Sequence, residues 1–195
     1  MFKSSFVVSC LLYISLSATS QVRLSQASPD KQVALNFQLN ENGTAQYAVT
    51  YKGSPVVKPS NLGFRLAEPL LTLNQFDIVS IDSSEMNTSW APVWGETKQI
   101  NDHHKLLLLK LASKGKEKIQ VNIYFRLYND GLAFRYEFPT QPGLMHFIIA
   151  DELTGFAMTG DHKAFWIPGD YDTNEYGYYN SNLSGIDASG GSFAQ

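Results

Sequence analysis

Three features of this sequence predict an all-β fold, an antiparallel β-sandwich. Apolar residues alternate with period two along much of the chain, turn-forming residues separate the alternating runs, and no window carries a long helical period. Val33, Leu35, Phe37 and Leu39 share one face, with Gln32, Asn36, Gln38 and Asn40 opposite. Glu41-Asn42-Gly43 then turns the chain into Ala45, Tyr47, Val49 and Tyr51, so a hairpin is expected here. Lys52-Gly53-Ser54-Pro55 is a second turn, with short strands expected at Val56-Val57 and Leu62 to Leu66 around Pro59. Phe76, Ile78 and Ile81 predict another strand, whereas Glu85 to Ser89 is polar and reads as loop.

Trp90-Ala91-Pro92-Val93-Trp94-Gly95-Glu96 is an aromatic, turn-rich block. Lys105 to Leu111 is apolar after its first residue and fits a buried strand or a short helix; its length and lack of caps favour the strand. The clearest unit runs from Ile119, Val121, Ile123, Phe125 and Leu127 through Asn129-Asp130-Gly131 to Leu132, Phe134, Tyr136 and Phe138. It predicts a tight hairpin in which Asp-Gly takes positive φ angles. Phe147 to Ile149 and Ala164 to Ile167 predict further strands, and after Tyr179 the alternation stops in a Ser-, Gly- and Asn-rich stretch.

Length and composition bound the function. The 195 residues are 44% hydrophobic and 13% aromatic, a globular composition large enough for one core, and a net charge of -3 leaves no basic surplus for nucleic acid. Residues 1–20 read as a cleavable secretory signal: Lys3 gives a basic start, Phe6 to Leu16 is mostly apolar, and Ala18-Thr19-Ser20 offers small residues for cleavage. The apolar stretch is too short for a membrane span, and no later stretch reaches the roughly 18 residues one needs. The sole cysteine, Cys10, lies inside this signal, so no disulfide is expected in the mature chain. In a second reading Val7-Val8-Ser9-Cys10 is a lipoprotein site, but Leu11 to Leu16 continue the apolar run past it.

Few residues suggest chemistry directly. His103, His104, His146 and His162 lack metal-ligand spacing, and His103-His104 reads as a solvated loop pair. Neither a nucleophile elbow nor a phosphate-binding glycine loop occurs. Asp161, Asp170, Asp172 and Glu175 form an acidic cluster. Asp170 to Asn174 resembles the start of an EF-hand loop, but Glu175 stands where that loop needs Gly and Ser181 where it needs Glu. The segment reads as a solvated loop that could donate one or two oxygens to calcium. Trp90, Trp94, Trp166, Tyr171, Tyr176, Tyr178 and Tyr179 could stack on sugars, although core filling is the favoured expectation.

Several long blocks, in order, resemble the amino-terminal domain of glycoside hydrolase family 97. They are Trp90 to Glu96, Arg126-Leu127-Tyr128-Asn129-Asp130-Gly131-Leu132-Ala133-Phe134-Arg135-Tyr136-Glu137-Phe138-Pro139, Gly160-Asp161-His162, and Ala164 to Tyr176; Ser28-Pro29-Asp30 and Lys58 to Gly63 fit as well. The resemblance implies a galactose-mutarotase-like β-supersandwich over residues 21–180, incomplete at its carboxyl end, with 181–195 a polar tail. It implies a following (β/α)8 barrel and a small carboxy-terminal β-domain outside this chain. The family's catalytic carboxylates lie in the barrel: a general acid, with either a Glu activating water or an Asp nucleophile. No catalytic residue is therefore assigned here, and the chain alone is expected to be inactive.

One residue carries over. The family's Asp-Thr-x-Glu-Tyr block lends its Glu to an active-site calcium (Ca2+), and that Glu matches Glu175, with Asp170 and Asp172 left as structural loop residues. The resemblance thus implies part of a periplasmic, calcium-dependent, exo-acting α-glucosidase or α-galactosidase whose substrate is an α-linked oligosaccharide. The alternatives are a free-standing carbohydrate-binding module and an aldose epimerase using His162 with Glu175.

Overall fold

The computed structural model of the chain describes residues 22–169 and 175–186. The expected signal at 1–20, Cys10, Asp170, Tyr171, Asp172 and the end of the expected tail lie outside them. Two four-stranded antiparallel sheets face each other. The first runs β1 (Arg23–Ala27), β2 (Val33–Leu39), β3 (Ala45–Tyr51), β4 (Ser54–Asn61) in spatial order. A small three-stranded sheet follows, from β5 (Phe64–Glu68), β6 (Leu71–Leu73) and β11 (Ile148–Glu152), with β5 central. The second large sheet runs β10 (Gly131–Glu137), β9 (Gln120–Tyr128), β8 (Ile100–Ser113), β7 (Phe76–Trp90). A separate hairpin joins β12 (Lys163–Trp166) to β13 (Tyr179–Asn182).

The alternation in the sequence is what closes the sandwich. Val33, Leu35, Phe37, Leu39, Ala45, Tyr47 and Val49 face inward from the first sheet; Leu107, Leu109, Leu111, Val121, Ile123, Phe125 and Leu127 face them from the second. Phe37 meets Phe125 across the gap with ring centroids 6.3 Å apart, and Tyr47 meets Phe134 at 5.4 Å. Phe64 of the small sheet sets its edge against Tyr136 at 4.6 Å and Phe138 at 5.1 Å, closing one end of the core. Burial pushes the Tyr136 phenol up to about 12, and its hydroxyl is hydrogen-bonded to Thr154.

The turns follow different chemistry from that expected. Between β9 and β10 only Asn129 and Asp130 intervene, since Gly131 already pairs with Tyr128. Neither turn residue has positive φ, and Gly131 is outside the left-handed region, so the expected Asp-Gly geometry is corrected. The type I′ turn sits instead between β3 and β4, where Lys52 and Gly53 have φ of 50° and 80°. Ser28-Pro29-Asp30 is also a structural turn: the Ser28 hydroxyl donates to Asp30 at 2.6 Å and accepts from the Val33 amide at 3.1 Å. Asp30's own amide donates to Asn129, tying this turn to the β9–β10 turn.

Lys58 to Gly63 is structural too. The two expected short strands around Pro59 prove to be β4, which contains Pro55 and Pro59, followed by β5. An edge strand tolerates proline because one side of it needs no ladder donors. That side is covered by residues 153–158: the Lys58 amide donates to Ala157, the Gly155 amide to Asn61, and the Ala157 amide to the Ser60 hydroxyl.

Two further expectations change. Glu85 to Ser89 is strand, not loop: β7 pairs with β8 out to Trp90↔Ile100, whereas β9 pairs with β8 only from Lys105 onward. The outer part of β7 and β8 is thus a two-stranded arm standing beyond the sandwich, with every residue from Asp82 to Trp90 exposed. A strand with no buried face shows no alternation. The stretch after Tyr179 also has structure, as β13 followed by a 3-10 turn at Leu183–Gly185.

Candidate functional site

The β12–β13 hairpin carries the residues expected to do chemistry. Its register pairs Lys163 with Asn182 and Trp166 with Tyr179. The Trp166 and Tyr179 rings stack with centroids 5.1 Å apart and planes 26° from parallel, and the Trp166 indole N–H donates to the Ser181 hydroxyl at 3.0 Å. Phe165, Tyr176, Tyr178 and Tyr179 are exposed, with Tyr178 at 76% and Phe165 at 72%. Core filling, the expectation for these aromatics, is therefore corrected for Tyr176, Tyr178 and Tyr179, and likewise for Trp90 and Trp94 on the arm. The bulk of the core is filled instead by Leu, Ile and Phe from the two sheets.

The acidic cluster divides. Asp161 accepts from the Ser184 amide and hydroxyl, both at 2.8 Å, and from the Asn182 amide side chain at 3.2 Å. The backbone and hydroxyl donors of Ser184 hold its carboxyl below the usual range. Asp161 thus pins the loop before β12 to the turn after β13. His162 is engaged with the Thr159 hydroxyl at 3.2 Å. Glu175 is exposed and opens the described segment that leads into β13. Among the described residues no group of three or more His, Cys, Asp or Glu could hold a metal ion. Calcium takes six to eight oxygens, so Glu175 alone could not hold one.

The histidine pair is not a solvated loop pair. Both lie in β8, where the arm leaves the sheet. His103 Nε2 is 2.8 Å from Glu85 Oε1, and the hydrogen bond lowers the Glu85 carboxyl. His104 is buried: its Nδ1 is 2.5 Å from Asp102 Oδ1, and its ring lies 5.0 Å from that of Tyr128. The His104 hydrogen bond likewise depresses Asp102. A second network, on the outer face of β9 and β10, was not foreseen. Glu137 accepts from Asn122 and Tyr124, both at 2.8 Å, while the Arg135 guanidinium sits 4.1 Å over the Tyr124 ring. Those hydrogen bonds lower Glu137 and raise Tyr124. The only sequence signal for this network is the run of polar residues at alternate positions of both strands.

Comparison with known proteins gives one consistent answer. A retaining alpha-galactosidase of Bacteroides thetaiotaomicron is 23% identical over 162 residues, which is 83% of this chain and 23% of that protein. A glycoside hydrolase family 97 enzyme of Pseudoalteromonas sp. strain K8, solved in complex with panose, superposes with a TM-score of 0.76 at 30% identity, covering 83% of this chain and 25% of that one. The same organism's family 97 enzyme in complex with acarbose gives 0.74 at 30% identity, covering 81% and 24%. The chain spans about a quarter of the length of these relatives. Among the described residues, no helix is long and apolar enough to cross a membrane. The sequence profile described as Glycosyl-hydrolase 97 N-terminal matches residues 27–194, and with the sandwich it shows that this chain belongs to that family.

Proposed function

We propose that this chain is the amino-terminal part of a calcium-dependent, exo-acting α-glycosidase, an α-glucosidase or α-galactosidase acting in the periplasm on α-linked oligosaccharides. In this reading the sandwich packs on a (β/α)8 catalytic barrel and lends Glu175 to that barrel's calcium. The observation that carries it is the family match over residues 27–194. The retaining α-galactosidase and the panose- and acarbose-bound family enzymes support the substrate class. Glycoside hydrolysis needs two carboxyl groups flanking one bond. Asp30, Glu85, Asp102, Glu137 and Asp161 are each held by hydrogen bonds that build the fold, so none of them is assigned to that work.

Calcium would supply positive charge and positioning beside the barrel's carboxylates. Glu175 would give it one oxygen from an exposed position between β12 and β13. A free-standing carbohydrate-binding module is the second reading, favoured by the exposed aromatics of the hairpin and the arm.

The purified chain, assayed on nitrophenyl α-glucosides and α-galactosides, is expected to release no nitrophenol. Joined to a family 97 barrel, it is expected to give calcium-dependent hydrolysis, and Glu175→Gln to raise the calcium needed for half-activity. Hydrolysis by the chain alone, or a calcium dependence indifferent to Glu175→Gln, would overturn the proposal.

A further inference from the structure

The arm formed by outer β7 and outer β8 ends in a loop, residues 91–99, that carries Trp90 at its base and Trp94 within it. Trp90 is 53% exposed and Trp94 88%. Among the described residues, neither indole lies against another ring or a cation, and neither indole N–H has a hydrogen-bond partner. Trp166, by contrast, is stacked on Tyr179 and bonded to Ser181. Exposed indoles leave a large apolar area in water, at about 25 cal/mol for each Å², so two on one loop point to something that covers them.

The rest of the loop indicates what that is. Glu96, Thr97, Lys98 and Gln99 follow the second indole and are all exposed. Gln99 Nε2 donates to the Ser89 hydroxyl at 2.7 Å, which steadies the amide and leaves its carbonyl oxygen able to accept. The cores of protein–protein contacts are depleted in Lys and Glu. Aromatic faces interleaved with a few carboxylate, amide and hydroxyl groups suit a ligand that is apolar on one face and hydroxylated at its edge. A pyranose ring has that chemistry. The ladder from Met86↔His104 to Trp90↔Ile100 holds the arm extended beneath the loop.

We propose that the tip of this arm is a carbohydrate-binding platform. Trp90 and Trp94 stack on sugar rings of an α-linked oligosaccharide, and Glu96 and Gln99 take its hydroxyls. The proposal rests on the reading that the chain serves an α-glycoside-acting enzyme, and it deepens that reading by naming residues of this chain that would hold the oligosaccharide.

Titration of the purified chain with panose, followed by calorimetry and tryptophan fluorescence, is expected to show saturable heat and a fluorescence change. Trp94→Ala should weaken binding roughly tenfold, the upper range of one aromatic contact, and Trp90→Ala with Trp94→Ala together should abolish it. Trp166→Phe should retain both signals. Val93→Ser should bind as wild type, because Val93, 99% exposed, carries neither a ring to stack on a sugar nor a polar group to take its hydroxyls; circular dichroism verifies that each variant is folded. Panose binding that survives the double variant would overturn the arm platform while leaving the α-glycoside reading intact. Absence of binding to panose and to α-galactosyl oligosaccharides would also overturn the platform, with the α-glycoside reading judged separately by hydrolysis in the barrel-joined chain. Self-association that is lost equally in Trp94→Ala and Val93→Ser, without sugar binding, would identify the tip as a protein contact instead.

Discussion

Phe125→Ala tests whether the sandwich is held by the contact between its two large sheets. Phe125 sits on β9, flanked by Leu107 on β8 and Phe134 on β10, and is fully buried. Its ring lies 5.7 Å from that of Phe134 and 6.3 Å from that of Phe37 on the facing sheet. Truncation removes both aromatic contacts and leaves a void the neighbouring strands cannot fill without losing register. Buried Phe→Ala changes cost about 3–5 kcal/mol, against a total stability of about 5–15 kcal/mol for a domain. With a urea slope near 2 kcal/mol per molar, the unfolding midpoint should fall by about 1.5–2.5 M. Phe165→Ala removes the same atoms from a side chain 72% exposed on the β12–β13 hairpin and should shift stability by under about 0.5 kcal/mol. Urea unfolding followed by circular dichroism measures both. Equal costs for the two variants, or less than about 1 kcal/mol for Phe125→Ala, would refute the assignment of the core to this contact.

Other perturbations follow from single contacts. Gly43 and Gly53 both have left-handed φ, at 85° and 80°. A Cβ at Gly53 meets nothing, whereas at Gly43 it falls 2.6 Å from Lys114 Cε and 2.8 Å from the Phe76 carbonyl oxygen. Gly53→Ala should cost about 1–2 kcal/mol, and Gly43→Ala more, in paired thermal melts. Tyr47→Phe removes a hydroxyl that donates to the Gly155 carbonyl at 2.9 Å and should cost about 1 kcal/mol in the same measurement. Asp161 has a depressed folded value, so its contribution is present above the ordinary carboxylate range and is lost as pH falls through the folded value. Wild type should therefore lose more stability than Asp161→Asn between neutral pH and about pH 3. Parallel losses would show that Asp161 is not linked to folding.

Local pattern was enough to identify the sandwich and its inner faces. Val33 to Leu39 and Ile119 to Leu127 each need only period-two alternation to declare which side is buried, because a one-residue slip would turn every apolar side chain into water. The long motif blocks were likewise sufficient for the family. The site was less legible. Asp161 groups in the sequence with the acids Asp170, Asp172 and Glu175, yet its partners Asn182 and Ser184 come from the far side of the hairpin. His104 looked solvated because its neighbours are polar, yet Asp102 and the Tyr128 ring on the adjoining strand enclose it.

What the chain's own order of residues determined was the class of fold, the buried stripes and the kinship, since each depends on periodicity or on a contiguous block. Tertiary structure decided the arm, the partners of the acids and histidines, and which aromatics face water. Those depend on which distant strand lies alongside, and strand pairing joins residues whose separation along the chain leaves no local trace.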